Sequence, residues 1–227
     1  MQRTASWIVI GALLLTLGGL TAGARGRRKL NRPPKGFQRL FNGKDLKNWQ
    51  GLVELPKRLK MSPREREAAQ AKANAVMNAH WSVEDGILVY DGKGQSLQTV
   101  QDYRNFELWV DWKILPGGDS GIYLRGSPQV QIWDNPVGSG GLYNNQKHPS
   151  KPLVVADNPV GEWNTFYIKM VGDRVTVRLN GKLVTDNVVM ENYWDRSRAI
   201  YQSGPIELQH HGNRLEFRNI FIKKLPD

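Results

Sequence analysis

The chain contains no cysteine. That excludes disulfide staples, thiolate nucleophiles, thiolate metal centres and a lipid anchor on a cysteine that follows a signal. No nucleic-acid-binding motif is present either. The formal charge of +11 is therefore not read as a nucleic-acid footprint, because charge alone is a weak signal. The basic residues gather at Arg25, Arg27, Arg28, Lys29, Arg32 and Lys35, beside an apolar segment. There is no βαβ alternation, internal repeat or low-complexity segment, which sets aside doubly wound and solenoid folds. The apolar run over 7–20 is shorter than the ~20 residues a spanning helix prefers. With Arg3 ahead of it and Ala22-Gly23-Ala24 behind it, residues 1–24 read as an export signal. The expected location is thus periplasmic or extracellular. Basic residues directly after the run oppose translocation, so an uncleaved membrane anchor through residues 7–21 is the alternative. Residues 25–35 read as a basic linker.

What remains, residues 36–227, carries the signature of one large β domain. The 227-residue chain holds 23 Gly and 12 Pro, which suits many turns. Helical character is confined to 63–79. There Ser62-Pro63-Arg64-Glu65 offers an N-cap, a proline at the first helical position and a glutamate at the third. This helix reads as a surface insertion between strands, with a lid over a site as the functional alternative. Elsewhere alternation dominates. Residues 105–115 form the clearest strand, with Phe106, Leu108, Val110, Trp112 and Ile114 on one face and Glu107, Trp109 and Asp111 on the other. Asp85-Gly86 and Asn180-Gly181 mark hairpins. About a dozen short strands with turn signals predict an all-β, two-sheet antiparallel sandwich.

The central feature is the pair of runs in GGDSGIYLRGSPQVQIWD, residues 117–134. They predict a hairpin turning at Gly126-Ser127-Pro128. Its back is aliphatic. Its front carries Tyr123, Arg125, Gln129, Gln131 and Trp133. Planar amides, a guanidinium and aromatic rings suit sugars, through paired hydrogen bonds to hydroxyls and ring contacts with C–H faces. Glu107 with Trp109 on 105–115, and Glu207, Gln209 and His211 on one parity of 205–211, extend the candidate set. The long loop over 136–159 adds Tyr143.

The segments GGDSGIYLRG, VQIWDN, GEWN, LNGK, GPIELQ and FRNIFIK, taken in this order, resemble the 3-keto-disaccharide hydrolase domain family over roughly 36–225. The resemblance implies a concanavalin A-like jelly roll and action on 3-keto glycosides outside the cytoplasm. Asp119, Tyr123, Arg125, Gln131, Asp134, Glu207, Gln209, His211 and Arg218 match its motifs. Two departures are Gln129, where many members carry Glu, and His210, where Asn is frequent.

A 3-keto sugar has an acidified C2 proton. Its removal expels the C1 oxygen, and water then adds to the enone. This needs a base, donors to the enolate oxygen and an acid. On this reading His211 is the expected base. Arg125 and Gln131 are the enolate donors, Glu207 or Asp134 is the acid, and Trp133 and Tyr123 hold the ring. Direct hydrolysis by two carboxylates is the rival mechanism. Asp119, Asp134, Glu207 and His211 would suit a divalent metal by ligand type, without diagnostic spacing, and no cofactor is assigned. A non-catalytic carbohydrate-binding module of the cell envelope is the rival function.

Overall fold

Alternating burial along the strands sets the architecture. In the computed structural model, which describes residues 30–226, the elements run in chain order as β1 (Gln38–Arg39), β2 (Trp49–Gly51), α1 (Leu55–Arg58) and α2 (Pro63–His80). Next come β3 (Trp81–Glu84), β4 (Ile87–Tyr90), β5 (Leu97–Thr99), β6 (Phe106–Ile114), β7 (Asp119–Leu124) and β8 (Ser127–Trp133). The last five are β9 (Asn164–Val171), β10 (Arg174–Leu179), β11 (Lys182–Val189), β12 (Ile206–Leu208) and β13 (Leu215–Lys224). An eight-stranded sheet is ordered β11-β10-β9-β6-β13-β4-β3, with β1 also pairing to β13, and a five-stranded sheet is ordered β2-β5-β12-β7-β8. The strand pairs within both are antiparallel. The expected two-sheet jelly-roll sandwich is the observed fold.

The two sheets meet through their apolar faces. Leu108, Val110, Phe166, Ile168 and Phe217 from the larger sheet share one core with Ile122, Leu124, Val130, Ile132, Ile206 and Leu208 from the smaller. Burial of each such side chain stabilises the fold by roughly 1.5–3 kcal/mol. The odd-numbered residues of β6, Glu107 to Lys113, therefore point away from the smaller sheet, as do Glu216, Arg218 and, beyond the bulge that reverses its parity, Lys223 of β13.

The helix α2 begins with the capping box, in which Ser62 and Glu65 satisfy each other's backbone N–H groups. It buries little apolar surface, with only Met77 counted as buried. What holds it is the edge of β2. The Gly51 N–H donates to Asn74 Oδ1 at 3.0 Å, and the Gly51 carbonyl accepts from Gln70 Nε2 at 2.8 Å. A Cβ at position 51 would stand 2.1 Å from the Ala73 carbonyl oxygen, so only glycine permits this approach. α2 thus covers the exposed edge of the smaller sheet. Among the described residues no helix is long and apolar enough to cross a membrane.

A second excursion was not anticipated. After β2 the chain leaves the edge and passes over the outer face of the smaller sheet. Leu55 packs against Gly126 in the β7–β8 turn, three strands away, and Arg58 closes the path with a 2.6 Å ion pair to Asp102.

The expected signal or anchor, residues 1–24, and the first part of the basic linker lie outside the described residues. Asn31, placed in the linker by composition, is docked. It exchanges hydrogen bonds of 2.7 and 2.9 Å with Asn219, in the β13 bulge, and donates to the Gly86 carbonyl.

Candidate functional site

The register of the smaller sheet assembles one row of side chains across all five strands. Glu207 on β12 pairs with Gln98 on β5 and Tyr123 on β7. Gln98 in turn pairs with Gln50 on β2, and Tyr123 with Gln129 on β8. Side chains directly across a ladder share a face, so Gln50, Gln98, Glu207, Tyr123 and Gln129 all project outward from the core. A second row holds Gln131 opposite Gly121, whose carbonyl accepts from the Gln209 N–H. A Cβ at Gly121 would come within 2.7 Å of Gln129. The missing side chain therefore leaves the space that Gln129 fills. A third row pairs Asp119 with Trp133 and brings His211 Nδ1 to 4.0 Å from Asp119 Oδ2.

Glu207 is the electrostatic centre. It is 7% exposed. Burial, together with the charge of Glu54 on the crossing segment and despite a hydrogen bond from Ser96, pushes its carboxyl up to about 7. At neutral pH it is then poised between acid and base. Ser96, itself buried, lies 2.9 Å from His210 Nδ1 and accepts from the His210 backbone N–H at 3.1 Å. Ser96 therefore links Glu207 to His210, whose imidazole is held below its usual range by burial and by His211. Burial and the neighbouring Glu207 raise the Tyr123 phenol well above its ordinary value, so it stays a hydrogen-bond donor.

The amides around Glu207 are partly wired and partly unpaired. Gln129 Nε2 donates to Gln131 Oε1 at 2.8 Å, and Gln131 Nε2 donates to Asp119 Oδ1 at 2.7 Å. Among the described residues, both amide atoms of Gln98 are buried without a hydrogen-bond partner, as are Gln129 Oε1 and Gln209 Oε1. Each such atom costs roughly 1–3 kcal/mol in the folded chain. A face that keeps four of them beside a protonable carboxyl is suited to a ligand rich in hydroxyl and carbonyl groups.

Several predicted residues lie elsewhere. Arg125 does not face outward with Tyr123. It takes φ 57° at the hairpin turn and is 2% exposed, where its guanidinium donates to the backbone carbonyls of Arg104, Gln202 and Gly172. It braces loops and cannot reach an enolate over the sheet. Asp134 lies past the end of β8, where its carboxylate accepts from the Gly117 N–H and holds the β6–β7 turn. Glu107 and Trp109 are on the opposite outer face of the sandwich, with Glu107 paired to Lys223 and Trp109 edge-on to Tyr167. Arg218 is on that face too, stacked on Trp163 and bonded to Asp111. His211 belongs to the site but sits at its exposed rim. Among the described residues no three His, Asp or Glu converge as metal ligands, so Asp119, Asp134, Glu207 and His211 do not form one ligand set. Tyr143 reaches the site edge-on to Trp133, with ring centres 5.7 Å apart.

Gln50, Glu54, Ser96, Gln98 and His210 were missed as site residues. Gln98 had a faint signal, since it alternates with two buried neighbours in a run of three. The role of Glu54 depends on where a loop crosses, which no local pattern encodes.

Residues 36–223 match the 3-keto-alpha-glucoside-1,2-lyase-like domain. A 3-keto-disaccharide hydrolase of Bacteroides thetaiotaomicron is 24% identical, over 84% of this chain and 79% of the relative. A crystal structure from Parabacteroides distasonis, described as a candidate glycosyl hydrolase, superposes with a TM-score of 0.66 at 28% identity and covers 85% of each chain. A second from the same organism gives 0.65 at 24% identity, over 87% of this chain and 100% of the other, and shows the shared fold. The match across most of the chain makes this protein a member of the 3-keto-alpha-glucoside-1,2-lyase-like domain family.

Proposed function

We infer that the protein is an enzyme that cleaves the glycosidic bond of 3-keto glycosides by elimination at C1–C2 followed by hydration. The observation that carries this is Glu207, a buried carboxyl that titrates near neutrality and is surrounded by amides with unpaired atoms. Family membership supports the substrate class.

The roles differ from those read from the sequence. Glu207, and not the exposed His211, is the base that takes the C2 proton. As the C2–H bond breaks, the electron pair passes into the C3 carbonyl, giving a C2=C3 enolate with its charge on the C3 oxygen. Tyr123 Oη and Gln98 Nε2 are the donors suited to that oxygen. The enolate then collapses, so that the C3 carbonyl is restored, C1=C2 forms and the C1–O bond breaks, and the leaving oxygen takes up a proton from solvent. Water then adds at C1 of the enone and releases a proton to solvent, and Glu207, whose own proton has exchanged with solvent in the interval, protonates C2. The net change is one water across the glycosidic bond. The Ser96–His210 contact positions Glu207 for both transfers. The apolar 7–20 run behind Arg3 supports an exported setting for the reaction.

Incubation with a 3-keto disaccharide and with its unoxidised parent tests the reading. Cleavage of the keto sugar alone is expected. Equal cleavage of both would favour direct hydrolysis by two carboxylates. Tight binding without cleavage would favour a carbohydrate-binding module.

A further inference from the structure

The C2 proton has a base and the C3 oxygen has donors, but the sugar ring still needs a surface to lie on. Trp133, expected to hold it, stands two strands across and four residues along from Glu207 in the register, roughly 17 Å away by strand geometry. That is too far for a ring whose C2 meets the carboxyl. Two aromatic side chains outside the strands lie closer. The Trp194 indole donates from Nε1 to the Gly126 carbonyl at 2.7 Å. The Gly126 N–H donates in turn to the Pro205 carbonyl, so this turn lies one strand across and two residues along from Glu207, on the order of 10 Å away. Tyr193 meets Trp194 with ring centres 5.1 Å apart and planes at 70°. Its phenol reaches the site, since with Glu207 and Glu54 it helps to raise the Tyr123 phenol.

Polar bonds hold the pair in place. Buried Asn192 accepts through Oδ1 from the Trp194 and Asp195 N–H groups at 2.9 and 3.0 Å, and donates to the Ala199 carbonyl at 3.0 Å. The neighbouring Glu191 accepts from three backbone N–H groups of the loop over 146–148. The Arg196 guanidinium lies 6.0 Å from the Tyr193 ring centre. Even so, Tyr193 is 42% and Trp194 38% exposed. Apolar ring surface left in water adds nothing to the fold until something covers it. Two fixed rings at a steep angle make an apolar corner, and aromatic faces stack at centre distances of about 4.5–7 Å. A ring lying over the Glu207 carboxyl, or one bonded to that ring, is within this reach.

We propose that Tyr193 and Trp194 form the ring-binding platform of the substrate site, stacking on the apolar face of a six-membered ring of the substrate. The inference rests on the keto-glycoside reading. A pyranose and an aryl aglycone share this chemistry, since each presents a flat apolar face.

The test compares methyl and phenyl 3-keto-α-glucosides and a 3-keto disaccharide on the wild type, Tyr193→Ala and Tyr193→Phe. Tyr193 is substituted because Trp194 also anchors the β7–β8 turn. Tyr193→Ala is expected to raise KM about tenfold with kcat within twofold, since the stacking is equal in the ground and transition states. Tyr193→Phe, which keeps the ring face, is expected to restore the wild-type KM. A rise for all three substrates identifies the keto sugar as the stacked ring. A rise that spares the methyl glycoside identifies the ring attached at C1, aryl or pyranose according to the substrate that shows it. A KM within twofold of wild type for every substrate in Tyr193→Ala overturns the proposal. So does a Tyr193→Phe as impaired as Tyr193→Ala, because the hydroxyl and not the ring face would then be what binds. If the wild type cleaves no keto glycoside, the keto-glycoside reading fails. Ligand-observed NMR with phenyl α-glucoside and maltose then decides the platform. Binding that Tyr193→Ala loses and Tyr193→Phe keeps supports it, whereas binding unchanged in Tyr193→Ala, or absent in the wild type, overturns it.

Discussion

The two outer faces of the sandwich use similar residues in opposite ways. On the eight-stranded sheet the carboxylates meet cations. Glu216 pairs with Lys113 at 2.6 Å, Glu107 with Lys223 at 3.3 Å and Asp111 with Arg218 at 3.3 Å, while Arg218 and Lys113 both lie over Trp163. On the five-stranded sheet, among the described residues, no ion pair reaches Glu207. It is more buried than Glu107, and the amides beside it keep unpaired atoms. A paired charge is in its low-energy state and has little left to offer a ligand. An unpaired buried group has its desolvation cost unrecovered until something binds. The first face is built for stability and the second for chemistry, although the sequence offered Glu107 with Trp109 as sugar-binding candidates beside Glu207 as a catalytic one.

That contrast can be broken by substitution. The largest effect is expected from Glu207→Gln, which keeps the shape and removes the base. Turnover of a 3-keto glycoside should fall about 10²–10⁴-fold, with a native circular dichroism spectrum. The same variant sharpens the pH argument. The Glu207 carboxyl holds its proton more tightly in the folded than in the unfolded chain. Its contribution to stability is therefore complete below the ordinary glutamate range and is lost as pH rises toward 7. Denaturant melts of the wild type should lose up to about 3 kcal/mol across that window, and Glu207→Gln should lack this slope. In parallel, wild-type kcat/KM should rise with pH through about 7 as the base ionises.

A smaller effect separates the faces directly. Asp111 is buried and accepts from Thr165, Asn219 and Arg218. Asp111→Ala should destabilise the protein by about 2–4 kcal/mol and leave kcat/KM within twofold. Gln98→Leu should do the reverse, since it removes two unpaired buried polar atoms. The unfolding free energy should hold or rise by about 1 kcal/mol, while kcat falls, since a donor to the developing charge is lost. The smallest effect belongs to Lys223→Ala, because a partly exposed ion pair contributes only ~0–1 kcal/mol. A large loss of activity there would bring Glu107 back into the site.

The sequence carried the fold well, because burial in a sandwich follows a period of two. The alternation of Phe106 to Ile114, the Asn180-Gly181 turn and the capping box at Ser62 each imposed its element locally. The hairpin front was legible for the same reason, and Tyr123, Gln129, Gln131 and Trp133 do share a face. Arg125 fell outside that alternation because the residue after the last strand position adopts a left-handed backbone, which turns its side chain into the loops. Asp134 failed similarly, one residue past its strand. Trp109 and Glu107 were assigned to the right kind of face on the wrong sheet, since parity shows that a side chain points outward without saying on which side of the sandwich. The depth of Glu207 was hidden in sequence. It comes from the segment over 52–58 crossing three strands, and His211 looked the better base only because a free imidazole titrates near neutrality without burial.

Solvent-deuterium labelling at C2 tests the central claim most directly, with wild type and Glu207→Gln run side by side on a 3-keto disaccharide in D₂O. The account predicts that the wild type forms product carrying deuterium at C2, whereas Glu207→Gln forms product and exchanges C2 about 10²–10⁴-fold more slowly. Product that retains its original C2 proton, or full turnover by Glu207→Gln, would contradict it.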